Sequence, residues 1–581
     1  MYRTLVGRSA LNLLAAAFCL LGSVPVSAQD TYEYTYEGTY GQGKDIESLA
    51  SDGLFGDRVS YIDGGVSFQV IDVAAKTNVK LPLQFGRLLR PFAPYYADSA
   101  TLATDRSLIL GTQWRADIPY VAGIYRKNSD FYRNTRPRCS VVGLVPQAQP
   151  VQGRPPILQY NFWYGVEANI PGYGRETLWP IAANSPVPSS GGPYRYSTMS
   201  HWRVSCLPAL KNATGEGFKI TLPDGASYDF DWLALRPVTP FTSPYGGDAR
   251  EEMYFMASKA TDRFGNTVTY EYDPSFPTHV TRMLASDGAE IRINYGSDGR
   301  VSTVTDGTST WQYVYAVMTG MTTPELSQVI LPDGSKWQLS LPQYIGGQVN
   351  LPTFGYQCNF SPGQYTSAGD SARMRQTFVH PSGAVGEFTY KVIALGYNNV
   401  AYGSCNSAQP PEYPQGRPKA FLSNPLISKM VSGPGITPLM WTLTYAPSWS
   451  YATECASGCP STSTTTVVKN DGSTTTYVFG NDAQVNANQL LSESVSSGGI
   501  TLTRTDYKYL ASVTGQAFPD YVTGVLGAQD LGTLANEFFR RNRPMYERTI
   551  VQDGRAFKYK VDQFDAFARP VATTKSSAPA P

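Results

Sequence analysis

Apolar side chains in this chain alternate with polar ones over short stretches, and the alternation restarts after particular glycines. After Gly225 come Tyr228, Phe230 and Trp232, and after Gly288 come Ile291, Ile293 and Tyr295. After Gly334 come Trp337, Leu339 and Leu341, and after Gly554 come Phe557, Tyr559 and Val561. Gly472 is followed by Thr475, Tyr477 and Phe479, while after Gly307 the set slips by one residue to Trp311, Tyr313 and Tyr315. Residues two apart share one face of a strand, so this spacing predicts strands with one buried face. The residues between them, such as Asp229, Asp231, Lys336, Gln338, Lys558 and Lys560, face the other way. Each glycine follows Asp, and Asp-Gly supplies the positive φ angles of tight hairpin turns. Phe218, Ile220 and Leu222 show the same alternation entering Pro223-Asp224-Gly225.

A lone hairpin is marginal in water, so repeated hairpins must pair or stack to bury their apolar faces. The expected fold is all-β: repeated antiparallel hairpins forming a long curved or spiralling sheet, with few short helices and with edges that need covering. One helix is expected where Asp530 can cap a run with Leu531, Leu534 and Phe538 on one face, ended by Pro544. The abundance of Tyr (39), Gly (53) and Pro (42) supports strands joined by turns.

Residues 1–28 read as a secretory leader. Arg3 and Arg8 precede the short apolar run Leu11 to Leu21, and Val26-Ser27-Ala28 is a small-residue cleavage site, placing cleavage between Ala28 and Gln29. Cys19 lies inside the apolar run behind Phe18, which argues against a lipid anchor. No later stretch is long and apolar enough to predict a transmembrane span. Residues 29–50 read as a linker or edge segment, 51–250 as a β-rich front domain with Pro-containing loops near 145–156 and 180–194, and 251–400 as a repeat sheet. A Pro/Gly-rich break covers 400–418; 401–575 reads as further hairpins with the one short helix, and 576–581 as a tail.

Removing Arg3 and Arg8 with the leader leaves one net negative charge, and charged residues make up 16% of the chain. That balance gives no electrostatic footprint for nucleic acid, so no nucleic-acid partner is expected. The cluster Arg540, Arg541 and Arg543 reads as the C-terminal end of the expected helix. Six cysteines follow the leader, an even number that suits disulfides in an exported chain. Proximity in sequence suggests Cys139–Cys206, Cys358–Cys405 and Cys455–Cys459, although sequence alone does not determine connectivity.

From 257 to 315 the text becomes more specific. Ala260-Thr261-Asp262-Arg263-Phe264-Gly265-Asn266 leads into Thr267-Val268-Thr269-Tyr270-Glu271-Tyr272-Asp273, followed by Ser286-Asp287-Gly288 and Ser297-Asp298-Gly299-Arg300-Val301. Val561-Asp562-Gln563-Phe564-Asp565-Ala566-Phe567-Ala568-Arg569-Pro570 has the same cadence. These stretches resemble the YD repeat, roughly Tyr-x-Tyr-Asp-x-x-Gly-Arg-Leu, of the Rhs (rearrangement hotspot) family, most strongly over 250–340 and 545–575. Gly56-Asp57-Arg58-Val59-Ser60-Tyr61-Ile62-Asp63-Gly64-Gly65-Val66 is similar to the start of the region that precedes repeats in some members. Phe564 departs from the usual Tyr, and Ala568 stands where Gly precedes Arg. The resemblance implies a β-sheet spiral wound into a hollow shell. In many members the shell encloses a variable C-terminal toxin domain, and some members cleave themselves near an Asp-Pro-x-Gly motif. Here Asp273-Pro274 runs into Ser275-Phe276, so neither autoproteolysis nor toxicity is carried over. The chain reads as the front portion of a longer Rhs protein or as a short relative.

Candidate chemistry is sparse. His201, His279 and His380 are scattered, with no pair at the spacing of a zinc-binding helix. There is no Gly-x-Ser-x-Gly elbow, P-loop or dinucleotide fingerprint. Cys455-x3-Cys459 lacks the second ligand pair of a zinc site. Aspartates at hairpin tips could supply paired carboxylates for glycoside hydrolysis, but Asp is also the ordinary residue before Gly in such turns. Tyr32, Tyr34 and Tyr36 alternate with polar residues, either as a sugar platform or as a half-buried strand. No catalytic, cofactor-binding or metal residue is therefore assigned. The expected function is an exported scaffold or shell that encloses a polypeptide, presents a partner or contacts a cell-surface protein or glycan. A glycan-binding module and a cryptic polysaccharide hydrolase are the alternatives.

Overall fold

The structure, a computed structural model, describes residues 53–89, 91, 108–126, 138–140, 166–181, 187–198, 200–243, 246–345, 373–398, 420–446, 461–482, 485–510, 544–565 and 569–580. No described residue is helical, and the chain is all-β as expected. The expected helix at 530–538 lies outside the described residues, as do the expected leader at 1–28 and residues 29–50.

Three parts make the fold, beside a two-stranded sheet of Ile393–Gly396 and Ala420–Ser423. A four-stranded front sheet runs in the order Asp57–Val59, Val66–Ala74, Gln84–Leu89 and Trp114–Ala116. A closed ring follows, from Tyr120–Arg126 through Val166–Ile170, Gly174–Pro180, Tyr194–Ser197, Arg203–Leu207, Gly217–Thr221 and Ser227–Ser243 to Gly246–Thr261. It closes because Arg250 to Met256 pair antiparallel with Arg126 to Tyr120. The same edge of Gly246–Thr261 continues past the ring, where Lys259 to Thr261 pair with Thr269 to Thr267. One strand thus belongs to both the ring and the start of a long ribbon. That ribbon proceeds by antiparallel neighbours to its last strand, Pro570–Pro579. Gly246–Thr261 runs unbroken through residue 250, and Ser576 to Pro579 end the last strand.

The glycine bends join ladder neighbours, as the spacing predicts. Thr221 pairs with Ser227 around Gly225, Leu284 with Glu290 around Gly288, Ile330 with Lys336 around Gly334 and Val468 with Thr474 around Gly472. Most tips are three-residue loops in which glycine alone takes a positive φ, 84° at Gly334. The preceding Asp instead accepts the N–H two residues on: Asp333 from Ser335 at 2.9 Å and Asp471 from Ser473 at 2.8 Å. Asp553-Gly554 differs, with both residues at positive φ between paired Gln552 and Arg555, the two-residue turn that Asp-Gly was expected to make. The slipped register after Gly307 has a local cause: Thr305 pairs with Thr310 around a loop one residue shorter, in which two residues follow the glycine before pairing resumes and not one.

A second regularity sits at the far end of the hairpins. The hydroxyl of Tyr272 donates to the Ala257 carbonyl at 2.6 Å, Tyr295 to Val280 at 2.9 Å and Tyr315 to Val301 at 3.0 Å. Tyr445 donates to Leu426 at 2.8 Å and Tyr509 to Leu490 at 2.9 Å. Each acceptor lies on the preceding strand, so every such tyrosine ties its hairpin together at the open end. A buried phenol needs a partner, and a strand's own ladder leaves few carbonyls accessible. Register shifts fall beside Tyr272, Tyr295, Tyr315 and Tyr509 in their pairing with the next strand. Such bulges increase the local twist, which curls the ribbon.

Candidate functional site

The wall formed by the inward side chains of the ribbon is the principal surface of the molecule, and much of it is filled from within. Phe68 packs edge-on against Phe378 and Phe388, Phe85 against Tyr313, and Phe55 against Trp337, while Tyr61 stacks on Tyr477 at 4.3 Å. Gly386 is on this wall because Phe55 leaves no room for more: a Cβ there would meet the ring at 2.7 Å. Burying each such aromatic ring contributes about 1.5–3 kcal/mol. The front sheet thereby covers the wall across strands that reach from the hairpin after Val301 to Thr474–Gly480.

Charge is buried in the same contact. Lys429 Nζ lies 2.7 Å from Asp57 Oδ2 with neither side chain exposed, beside the rings of Phe388 and Trp441. Burial pulls the Lys429 pKa down, and the Asp57 charge opposes that shift. Arg87 bonds Asp72 at 3.0 Å, stacks on Trp114 and Trp337, and Asp72 also accepts the Tyr313 hydroxyl. Burial pushes the Asp72 carboxyl up, against the pull of Arg87. Glu325, fully buried, accepts from Thr112 N and Gln113 N and from the Thr112 and Thr323 hydroxyls. These groups join the front segment to the ribbon, which is a structural use of charge.

The residues singled out from the sequence are dispersed. His279 is buried and stacked between Phe276 and Tyr295, and His380 packs against Trp337 and bonds Ser382. His201 holds a turn at positive φ. Among the described residues no group of three His, Cys, Asp or Glu is placed to hold a metal. The hairpin-tip carboxylates are spent on their own turns. Hydrogen bonds hold Asp287, Asp333 and Asp471 below the usual carboxylate range, the opposite of the raised pKa that a general acid needs. Asp287 also accepts from Thr77 and Asn78, pinning a hairpin tip to the front segment. Cys139 and Cys206 form a disulfide, and Cys358, Cys405, Cys455 and Cys459 lie outside the described residues. Tyr32, Tyr34 and Tyr36 also lie outside them. No helix among the described residues is long and apolar enough to cross a membrane.

Beyond Tyr477 the inner wall changes character. By register, Tyr507, Arg548, Tyr559 and Lys575 form one inward row across four strands, and Glu493, Thr505, Ile550, Phe557 and Ser577 form the next. Phe557 is 45% exposed and Arg548 and Lys575 are exposed, so this stretch is not covered as the earlier wall is. Sequence alternation marks these positions as inward. It carries no signal for where the covering stops, because that depends on the reach of a sheet some 400 residues earlier in the chain.

No known protein family and no curated protein matches the chain. Similar solved structures include a Photorhabdus luminescens Tc holotoxin pore carrying a TccC3 mutation, at 8% identity and TM-score 0.37 over 88% of this chain and 42% of that one. A TcdB2-TccC3-TEV crystal structure matches at 8% identity and TM-score 0.24 over 92% of this chain and 24% of that one. The N-terminal domain of the effector SpvB from Salmonella typhimurium strain LT2 matches at 9% identity and TM-score 0.17 over 65% of this chain and 95% of that one. The chain spans less than half the length of the first two. Identity this low, at this degree of superposition, establishes neither kinship nor activity.

Proposed function

We propose that this chain is an exported scaffold of the Rhs type, without a catalytic centre of its own, that holds or presents a partner polypeptide. The observation that carries the reading is the single continuous ribbon of hairpins. Its inner wall is aromatic, is occupied by the chain's own front sheet over most of its length, and is left open over the last strands. The YD-like cadence of 250–340 and 545–575 supports the same reading. The titratable groups tempting for hydrolysis serve turns and buried ion pairs.

The test is to express the full chain with its leader in an exporting host and ask whether a polypeptide co-purifies and is shielded from protease. The expected result is a protected polypeptide and no turnover of polysaccharide or peptide substrates. Hydrolysis that Asp333→Asn or Asp471→Asn abolishes, with circular dichroism unchanged, would replace the scaffold with an enzyme.

A further inference from the structure

The buried carboxylates where the front segment meets the ribbon are satisfied to different degrees. Glu325 accepts four hydrogen bonds, from the Thr112 and Gln113 amides and the Thr112 and Thr323 hydroxyls. Asp72 accepts from Arg87 with both oxygens and from the Tyr313 hydroxyl. Among the described residues the Asp57 carboxylate accepts from Lys429 alone, through Oδ2, and its buried Oδ1 has no partner. The cations differ as well. An Arg guanidinium does not give up its proton, whereas a buried Lys does so and becomes a nucleophile.

The surroundings of this pair are aromatic. Phe388, Lys429 and Trp441 form one cross-strand row, and Nζ stands 5.7 Å from the Phe388 ring centre, 5.4 Å from that of Trp441 and 6.0 Å from that of Phe55. Two charges held among rings by one hydrogen bond are costly, and moving a proton from Nζ to Oδ2 removes both. Burial favours that transfer by pulling the Lys429 pKa down, against the Asp57 charge. A neutral amine then faces a carboxylic acid. Nζ is 2.7 Å from Oδ2, and Cγ is one bond further, within about 4 Å, near the separation from which bonds form. Contacts between the same two segments hold the pair there. Leu426 N donates to the Gly64 carbonyl at 2.9 Å, the Ser423 hydroxyl to that of Asp63 at 3.0 Å and the Thr465 hydroxyl to that of Tyr61 at 2.6 Å.

We infer that Lys429 and Asp57 condense to an intramolecular amide, a covalent bolt between the front sheet and the ribbon. Nζ attacks Cγ, the N–C bond forms and the Cγ–Oδ2 bond breaks. Oδ2 leaves as water, carrying the proton it first received and a second one from Nζ, and nothing is oxidised or reduced. Tyr390, fully buried, is within reach of the Asp57 charge, and burial first and that charge second raise its pKa, so its phenol stays protonated and can relay the second proton. The partners are 372 residues apart in sequence, so folding comes first. Freshly folded chain carries the ion pair, and the amide follows. Exclusion of water from the pocket then protects the product from hydrolysis. The bolt goes beyond the scaffold reading and stands without it, since it concerns how the front sheet is kept on the wall and not what the wall holds.

The experiment uses the full chain, purified and kept folded for several days, then reduced, alkylated and weighed by intact mass spectrometry before tryptic mapping. The expected mass is one water below that of the unmodified chain, with a branched peptide that joins Asp57 to Lys429 and is uncut after Lys429. On a denaturing gel under reducing conditions the condensed chain keeps a long loop closed, so it is expected to run apart from Lys429→Arg, which keeps the charge and does not condense. The map of the unaltered chain decides the matter even if Lys429→Arg fails to fold. A folded chain that retains its full mass overturns the inference. So does a water lost as a succinimide at an Asp-Gly tip such as Asp333-Gly334, which hydroxylamine opens and which leaves residues 57 and 429 on separate peptides.

Discussion

Lys429 and Asp57 meet across the boundary between ribbon and front sheet with no solvent access, so each is tolerable only because of the other. Replacing Lys429 with Met strands the Asp57 carboxylate in an aromatic pocket, and the loss expected in urea unfolding is about 3–5 kcal/mol. Pairing it with Asp57→Asn should recover a large part, since the double variant buries no unpaired charge. The tyrosine ties operate on a smaller scale. Tyr295→Phe keeps the ring stacked on His279 and removes only the donor to Val280, so about 1 kcal/mol is expected to be lost in the same measurement. Alternation in the sequence identified Tyr295 as inward but not what its hydroxyl does, because the acceptor is a backbone carbonyl on the neighbouring strand. Lys429, Arg87 and Asp72 were invisible to the same reasoning. A charged residue in a strand reads as solvent-facing until the surface that covers it is known.

Hairpins were the most legible elements, since Asp-Gly and period-two spacing are local signals, and Gly225, Gly288, Gly334 and Gly472 each turn between paired strands. The turn type was not legible. Asp-Gly suits a two-residue loop, as Asp553-Gly554 makes, but at Asp333 and Asp471 the carboxylate caps a three-residue loop. Gly334→Ala isolates the backbone term, because a Cβ there meets nothing within 4 Å and φ is 84°. A loss of about 1–2 kcal/mol in thermal unfolding is expected from left-handed strain alone. The caps also give the tips a pH dependence. Asp333 and Asp471 are held below their ordinary value by hydrogen bonds to the turn, Asp287 mainly by those from Asn78 and Thr77, and Asp306 by turn hydrogen bonds that prevail over burial, the larger single influence, which opposes them. A depressed folded pKa stabilises above the unfolded value and ceases to do so as pH falls through the folded one. Protection of the tip amides, corrected for the intrinsic pH dependence of exchange, is therefore expected to fall on acidification below about pH 4, where ordinary aspartate titrates. Asp333→Asn should remove that response at its own tip only.

Closure of the whole molecule depends on contacts that no local pattern encodes. The strand Gly246–Thr261 shares one edge between ring and ribbon, and the far end of the ribbon returns to the ring: Arg569 Nη1 donates to the Pro223 carbonyl at 2.7 Å, across 346 residues of sequence. Arg569 is held in place by Asp565 at 2.6 Å, and Val561 and Phe564 beside it are buried although the neighbouring strands are open. The last YD-like motif thus docks on the Asp224-Gly225 hairpin tip, and its Arg is the residue that reaches across. The sequence carries both motifs but not their meeting, since their separation places the pairing beyond any periodicity. With its side chain half exposed, Arg569 is worth about 1 kcal/mol at this contact. Arg569→Ala should therefore leave the melting of the aromatic wall between Phe55 and Tyr477 nearly unchanged. It should speed amide exchange about fivefold at 222–226 and across Arg555–Phe564, because only the docked end is released. Acceleration spread evenly over the ribbon would mean that the curl is held by this one contact, and that the bulges beside Tyr272, Tyr295, Tyr315 and Tyr509 do not set its curvature.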